Sequence, residues 1–156
     1  MYSRLLQKEH LDTPEARKAL VDAIIPTKEG MFHLVAGKGV MENDPDHTET
    51  SVTPAWRKTV LHMDGTVNID EQDAEQWKKA QQEVETRMAK LRELTSDSGA
   101  YWNESDRNEP NWEQSYWGTA NYQKLKAIKQ KYDPTGMFRV WNGIGGLRPE
   151  TEQSGL

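Results

Sequence analysis

A long amphipathic segment, NIDEQDAEQWKKAQQEVETRMAKLREL, constrains the fold of this chain more than any other feature. Apolar residues recur in it every three or four positions: Trp77, Ala80, Val84, Met88, Leu91 and Leu94. This spacing places them on one face of an α-helix, with charged residues elsewhere. We expect Asp70 to cap the start of the helix. One apolar face needs a second layer to cover it, and a β-sheet is the usual partner.

Three segments around this helix have the apolar and alternating character of strands. They are YSRLL, MFHLVAGKGV and AWRKTVLHMDG. In the third segment, alternation predicts that His62 and Asp64 share a face with Trp56, Lys58 and Val60. A strand face that carries His and Asp beside an aliphatic residue is not purely core.

Two further helices are predicted. DTPEARKALVDAII has Thr13 as its N-cap, Pro14 in its first position and an apolar stripe of Leu20, Val21 and Ile24. Near the end of the chain, one helical face carries Asn121, Leu125, Ile128 and Tyr132. Together the segments predict an α+β fold, in which a partial antiparallel sheet is covered by helices.

Composition excludes several classes of protein. The chain of 156 residues is long enough for one domain, yet only 35% of it is hydrophobic. A net charge of −5 disfavours nucleic-acid binding. No apolar run has the length of a membrane span, and the start has no signal-peptide core. The lack of cysteine excludes disulfides, thiolate nucleophiles and cysteine-based zinc sites.

No short motif completes a chemical site by itself. VAGKG lacks the glycine spacing and the Ser or Thr of a phosphate loop. GIGG is followed by no helix, so we expect a tight turn or a close backbone approach there. The histidines lack the helical spacing of metal ligands, so we predict no metal: they are His10, His33, His47 and His62.

The last third of the chain resembles a known family. AYWNESD and NWEQSYWGTANYQKLKAIKQKYDPTGMFRVWNGIG resemble the C-terminal segment of berberine-bridge-enzyme-like flavoproteins, members of the vanillyl-alcohol-oxidase (VAO) superfamily with the PCMH-type FAD fold. The matching positions are Tyr101, Asn103, Tyr116, Trp117, Gly118, Asn121, Tyr122, Leu125, Ile128, Lys129, Asp133, Pro134, Phe138, Gly143 and Ile144. Upstream, SRLL, HLVAGKGV and TPAWRKTVLH resemble late substrate-domain segments of fungal members.

The resemblance implies a domain organisation. Residues 1–98 correspond to the C-terminal part of a substrate domain, 99–146 to a flavin-facing segment that packs on an FAD-binding domain, and 147–156 to a disordered tail. The family's FAD-binding domain and flavin attachment lie in an N-terminal half that this sequence does not contain. We therefore expect the chain to be the C-terminal portion of an oxidase, inactive alone.

The resemblance also implies an activity. Family members use FAD to take a hydride from a small molecule such as an alcohol or a sugar, and O2 often reoxidises the flavin. The alternative is a flavin-free, non-catalytic binding module that keeps the family fold.

Five residues carry the implied roles. Tyr101 would lie beside flavin and substrate, where its phenol orients or deprotonates a substrate hydroxyl; the alternative is a buried structural tyrosine. His62 would accept a proton or would modify Tyr101 through a hydrogen bond. The alternative is a structural histidine whose hydrogen bonds are made within the sheet. Asn103 would hold backbone or cofactor atoms, whereas Asn121 and Tyr122 either contact the cofactor or cap a helix.

Overall fold

The computed structural model describes three strands and six α-helices. The strands are β1 (Tyr2–Gln7), β2 (Met31–Leu34) and β3 (Thr59–Gly65). The helices are α1 (Pro14–Ile24), α2 (Lys38–Glu42), α3 (Ala55–Lys58), α4 (Ala74–Leu94), α5 (Trp112–Trp117) and α6 (Thr119–Tyr132). Two 3-10 helices cover Lys8–Leu11 and Trp102–Glu104. The described residues are 1–24, 30–35, 37–43, 50–67, 73–104 and 106–146. The predicted α+β class is confirmed.

The strands form an antiparallel sheet in the order β1-β3-β2. The register pairs Ser3 with Asp64 across β1 and β3, and His33 with His62 across β2 and β3. The outer side of β1 is bonded to the segment that follows α4, since the Leu5 N–H donates to the Gly99 carbonyl at 2.9 Å. This bond brings the flavin-facing segment predicted from residue 99 against the sheet.

One face of the sheet packs on α4 and forms the core. The buried cluster consists of Tyr2, Leu6, Leu20, Met63, Val84, Met88 and Leu91. The prediction that the long amphipathic helix covers a sheet is therefore confirmed. Two predicted apolar positions differ, because Trp77 and Val21 are 44% and 50% exposed.

The two predicted helix caps have different outcomes. Thr13 caps α1 as predicted, because its Oγ1 accepts from the Ala16 N–H at 3.1 Å. The prediction of Asp70 as the cap of α4 was wrong. Asp73 is the cap, with its carboxylate accepting from the N–H groups of Glu75 and Gln76. Asp70 itself lies outside the described residues.

Two predicted strands were too long. AWRK forms α3, because Pro54 has the backbone angles of a first helical turn and the Trp56 N–H bonds back to Thr53. Trp56 therefore lies on a helix, and Lys58 ends that helix rather than starting β3. The strand predicted through MFHLVAGKGV ends at Leu34, and beyond it Gly37 takes a positive φ of 149° before α2.

Within the described residues, no helix is both long enough and apolar enough to cross a membrane. The GIGG segment forms consecutive turns, as predicted, with the Gly143 N–H bonded to Val140 and the Gly146 N–H bonded to Gly143. The tail predicted over 147–156 lies outside the described residues.

Candidate functional site

The face of the sheet opposite the core carries polar side chains from all three strands. Ser3 on β1, His33 on β2, and His62 and Asp64 on β3 alternate with residues that face the core. Ser3, His62 and Asp64 are buried, whereas the side chain of His33 is half-exposed. A group of buried polar side chains on one sheet face indicates a site, because core packing does not need them.

The chain returning from α4 places Tyr101 against this polar face. The Tyr101 backbone N–H donates to the Ser3 hydroxyl at 3.0 Å. Its ring meets the rings of Trp56 and His62 edge-on, with centroids 5.6 and 5.7 Å apart. Tyr101 and His62 are therefore neighbours. Trp56 packs against both rings, since it also meets His62 at 5.4 Å.

The hydroxyl of Tyr101 has a hydrogen-bond donor beside it. The Asn103 amide, on the 3-10 helix, donates to the phenol oxygen at 2.9 Å. Asn103 is exposed and Tyr101 is only partly buried, so this end of the cluster reaches the surface. The role expected of Asn103 toward a cofactor stays a prediction.

His62 is a buried titratable group of the cluster, with 4% of its surface exposed. Its Nε2 lies 2.9 Å from the Ser3 hydroxyl oxygen and 4.0 Å from the Glu104 carboxylate. Burial lowers the pKa of His62 below its ordinary value, against the opposing attraction of Asp64 and Glu104. The imidazole is therefore neutral at neutral pH.

His33 and Asp64 form a pair at the edge of the cluster. The His33 Nε2 lies 2.9 Å from a carboxylate oxygen of Asp64. These two residues and His62 offer ligand atoms within 4.8 Å of one another, and such residue types bind transition metals. The His33–Asp64 and Ser3–His62 bonds already use a carboxylate oxygen and two imidazole nitrogens. The prediction of no metal stays a prediction.

Sequence reasoning missed Ser3, His33 and Glu104 as members of the cluster. Helical spacing was the test applied to the histidines, whereas His33 and His62 are opposite residues of an antiparallel pair. Alternation along β3 did place His62 and Asp64 together. The signal that would have found His33 is the pairing register, which depends on contacts between distant parts of the chain.

Asn121 and Tyr122 lie on α6, and their described contacts are with other parts of the chain. The Asn121 amide donates to the Val52 carbonyl at 3.1 Å, and the Tyr122 hydroxyl accepts from the Gly145 N–H at 3.4 Å. Neither caps α6, whose N-cap is Gly118. Asn121 also lines a recess of about 480 Å³ beside Lys58. Cofactor contact by Asn121 or Tyr122 stays a prediction.

Chemically, the cluster offers hydrogen-bond donors and acceptors of the kind that bind a hydroxyl group. It combines a phenol that receives a hydrogen bond, a neutral imidazole and a carboxylate–imidazole pair. Its surface end is formed by Tyr101, Asn103, Glu104 and His33.

The chain is similar to flavoproteins in sequence and in structure. The family model described as berberine and berberine-like matches residues 100–145. An uncharacterized FAD-linked oxidoreductase of Arthroderma benhamiae is 35% identical over 150 residues, which are 92% of this chain and 25% of that protein. An FAD-linked oxidoreductase of Penicillium thymicola is 30% identical over 129 residues, 82% of this chain and 22% of that protein.

A crystal structure shows the same likeness. The VAO-type flavoprotein MtVAO713 from Myceliophthora thermophila superposes with a TM-score of 0.76 at 28% identity, over 92% of this chain and 26% of that one. The chain thus spans about a quarter of the length of the relatives that it matches.

Proposed function

Because this chain is a berberine-bridge-enzyme-like segment of the VAO-type flavoproteins, we propose that it forms the substrate-facing side of an FAD-dependent oxidoreductase. The observation that supports this most directly is the contact between Tyr101 and His62 on the polar face of the sheet. The FAD-binding domain is a separate part of the enzyme. Residues 99–146 face the flavin, and residues 1–98 complete the substrate domain.

The described residues fit one side of a flavin ring but not the whole cofactor. Phosphates are usually held by a glycine-rich turn or the start of a helix. The glycine-rich turn at the end of this chain is closed by its own backbone, since a Cβ on Gly146 would lie 2.0 Å from the Val140 carbonyl oxygen. The polar cluster offers hydrogen-bonding groups at an open edge instead. The dinucleotide part of FAD therefore belongs to the other domain.

The proposed chemistry is the oxidation of an alcohol, a sugar or a related small molecule. Bound FAD supplies the hydride acceptor, and O2 can reoxidise the flavin once it has been reduced. On this chain, Tyr101 in its phenolate form accepts the proton of the substrate hydroxyl as the C–H bond breaks, and becomes a neutral phenol. A free tyrosine has a pKa of about 10, so a base of this kind needs help near neutral pH. The Asn103 amide contacts the phenol oxygen of Tyr101 and donates to it at 2.9 Å.

The experiment uses a chimera in which these 156 residues replace the matching quarter of the Arthroderma benhamiae relative. Flavin reduction is followed by the loss of visible absorption, with a panel of alcohols and sugars. We expect Tyr101→Phe to slow reduction by about 10²–10⁴-fold, the usual worth of general base catalysis, with FAD content unchanged.

Glu93→Gln is the control, because Glu93 pairs with Lys90 on the exposed side of α4, away from the cluster. It should leave the rate unchanged. Equal rates for Tyr101→Phe and the unsubstituted chimera would remove Tyr101 from the mechanism. A folded chimera that no longer retains FAD would favour the flavin-free binding module instead.

A further inference from the structure

We propose that Ser3 is a positioning residue, which fixes His62 in the neutral tautomer with its proton on Nδ1 and ties this ring to the backbone of Tyr101. The importance of this for catalysis rests on the proposed function. The hydrogen-bond arrangement itself is a property of the chain, and it can be tested without a flavin.

The direction of each bond follows from the groups involved. A backbone N–H can only donate, so the Ser3 oxygen accepts from Tyr101 at 3.0 Å. The other contact of this oxygen is with His62 Nε2 at 2.9 Å. Ser3 is 2% exposed, and these are its side-chain hydrogen bonds in the described part of the chain. The hydroxyl proton therefore goes to Nε2, the acceptor within reach.

The opposite arrangement leaves a buried donor without a partner. If His62 carried its proton on Nε2, the Ser3 oxygen would accept from both neighbours and its own proton would have no acceptor. Buried hydroxyl protons are rarely left in that state, because the lost bond to water is not replaced. A neutral His62 therefore carries its proton on Nδ1.

The same bond opposes protonation of His62. If Nε2 took up a second proton, the Ser3 oxygen would have to accept a hydrogen bond from it. The Ser3 hydroxyl proton would then lose its acceptor. Other groups facing the ring are Asp64 on β3 and Glu104 on the 3-10 helix, which favour the charged form, and His33 on β2, which opposes it. Ser3 adds to the effect of burial. His62 therefore stays neutral, and Tyr101 is the proton acceptor of the proposed reaction.

The chain contains its own reference for this assignment. The Nδ1 of His10 accepts from the Gln7 N–H at 3.0 Å, so neutral His10 must carry its proton on Nε2, which lies 2.8 Å from a carboxylate oxygen of Asp97. His10 and His62 are therefore opposite tautomers in one molecule. A single spectrum can display both.

The test is a long-range ¹H–¹⁵N correlation of the imidazoles in the labelled 156-residue chain, at about pH 8, where free histidine is neutral. We expect a protonated Nδ1 and a bare Nε2 for His62, and the reverse for His10. Ser3→Ala should make His62 a mixture of tautomers and raise its pKa. Ser3→Thr keeps the hydroxyl and should restore both, with His10 unchanged throughout.

Three results would overturn the proposal: a proton on Nε2 of His62, averaging of the His62 nitrogens in the unsubstituted chain, or a Ser3→Ala spectrum and pKa equal to the original. Averaging of the two tautomers would contradict the proposal, because Ser3 and His62 both belong to this chain and their hydrogen bond needs no other molecule. None of these results bears on the Tyr101→Phe experiment in the chimera, so the two proposals fail separately.

Discussion

At the scale of one residue, the burial of His62 makes the stability of the fold depend on pH. Its folded-state pKa lies below the ordinary value because the ring is enclosed. In the unfolded chain the ring titrates near pH 6.5. Below about pH 6.5 the unfolded state therefore takes up a proton that the folded state resists, and unfolding becomes easier. Above that pH the effect is absent.

We expect the free energy of unfolding to decrease from about pH 6.5 down to the lower pKa of the folded state, and to decrease less in a His62→Gln variant. Urea unfolding at about pH 7.5 and pH 5.5 measures the difference for both chains. The glutamine keeps a polar group of similar size but does not titrate. An identical decrease in the two chains would mean that His62 is not the group responsible.

At the scale of elements, a buried charge network joins β1, α4 and the segment before α5. Glu109 is 2% exposed and lies between two guanidinium groups. Its carboxylate is 2.9 Å from Arg92 Nε and 3.5 Å from Arg4 Nη1, and it accepts from the Ser115 hydroxyl at 2.7 Å. Arg4 also donates to Thr95 Oγ1 at 2.7 Å, just after α4. The network thus holds the returning chain against the sheet.

We expect Glu109→Gln to lower the free energy of unfolding by about 3–5 kcal/mol, because it leaves the buried Arg4 guanidinium without the carboxylate that it pairs with. Arg92 keeps Asp106 and Glu85 as partners, at 2.8 and 2.7 Å. Urea unfolding at neutral pH is the measurement. Glu93→Gln is the control, since Glu93 pairs with Lys90 at 2.9 Å on the exposed side of α4. That change should stay within about 0.5 kcal/mol. Equal effects of the two substitutions would contradict a structural role for the buried network.

The sequence predicted those elements whose signal is local and repeated. The apolar period of α4 identified the helix and its buried face, yet the choice of cap was wrong because Asp70 and Asp73 are both good caps and the pattern does not rank them. AWRK has the composition of a strand, but Pro54 starts a helical turn there. The pairing of His33 with His62 was out of reach, because register is set by contacts across the fold.

At the scale of the whole molecule, most of the large apolar side chains that are exposed in the described part of the chain lie in two areas. The edge area is on β2 and consists of Met31, Phe32 and Leu34. The terminal area lies on α6 and the chain after it, and consists of Ile128, Tyr132, Met137, Phe138 and Val140. Proteins rarely leave such groups uncovered unless they are interaction sites. Since the chain spans about a quarter of its relatives, we propose that both areas face the rest of the flavoprotein.

The isolated chain should therefore associate with itself through the edge and terminal areas. Leu34 and Phe138 are 81% and 73% exposed, so the double variant Leu34→Lys/Phe138→Asp should change stability little while adding charge to both areas. We expect its mass in sedimentation equilibrium to fall toward the 17.9 kDa of one chain. Val21→Lys, at a half-exposed position of α1 outside both areas, should not have this effect. If the original chain already sediments as a monomer, or if the double variant associates as strongly as the original chain, these areas are not interaction surfaces.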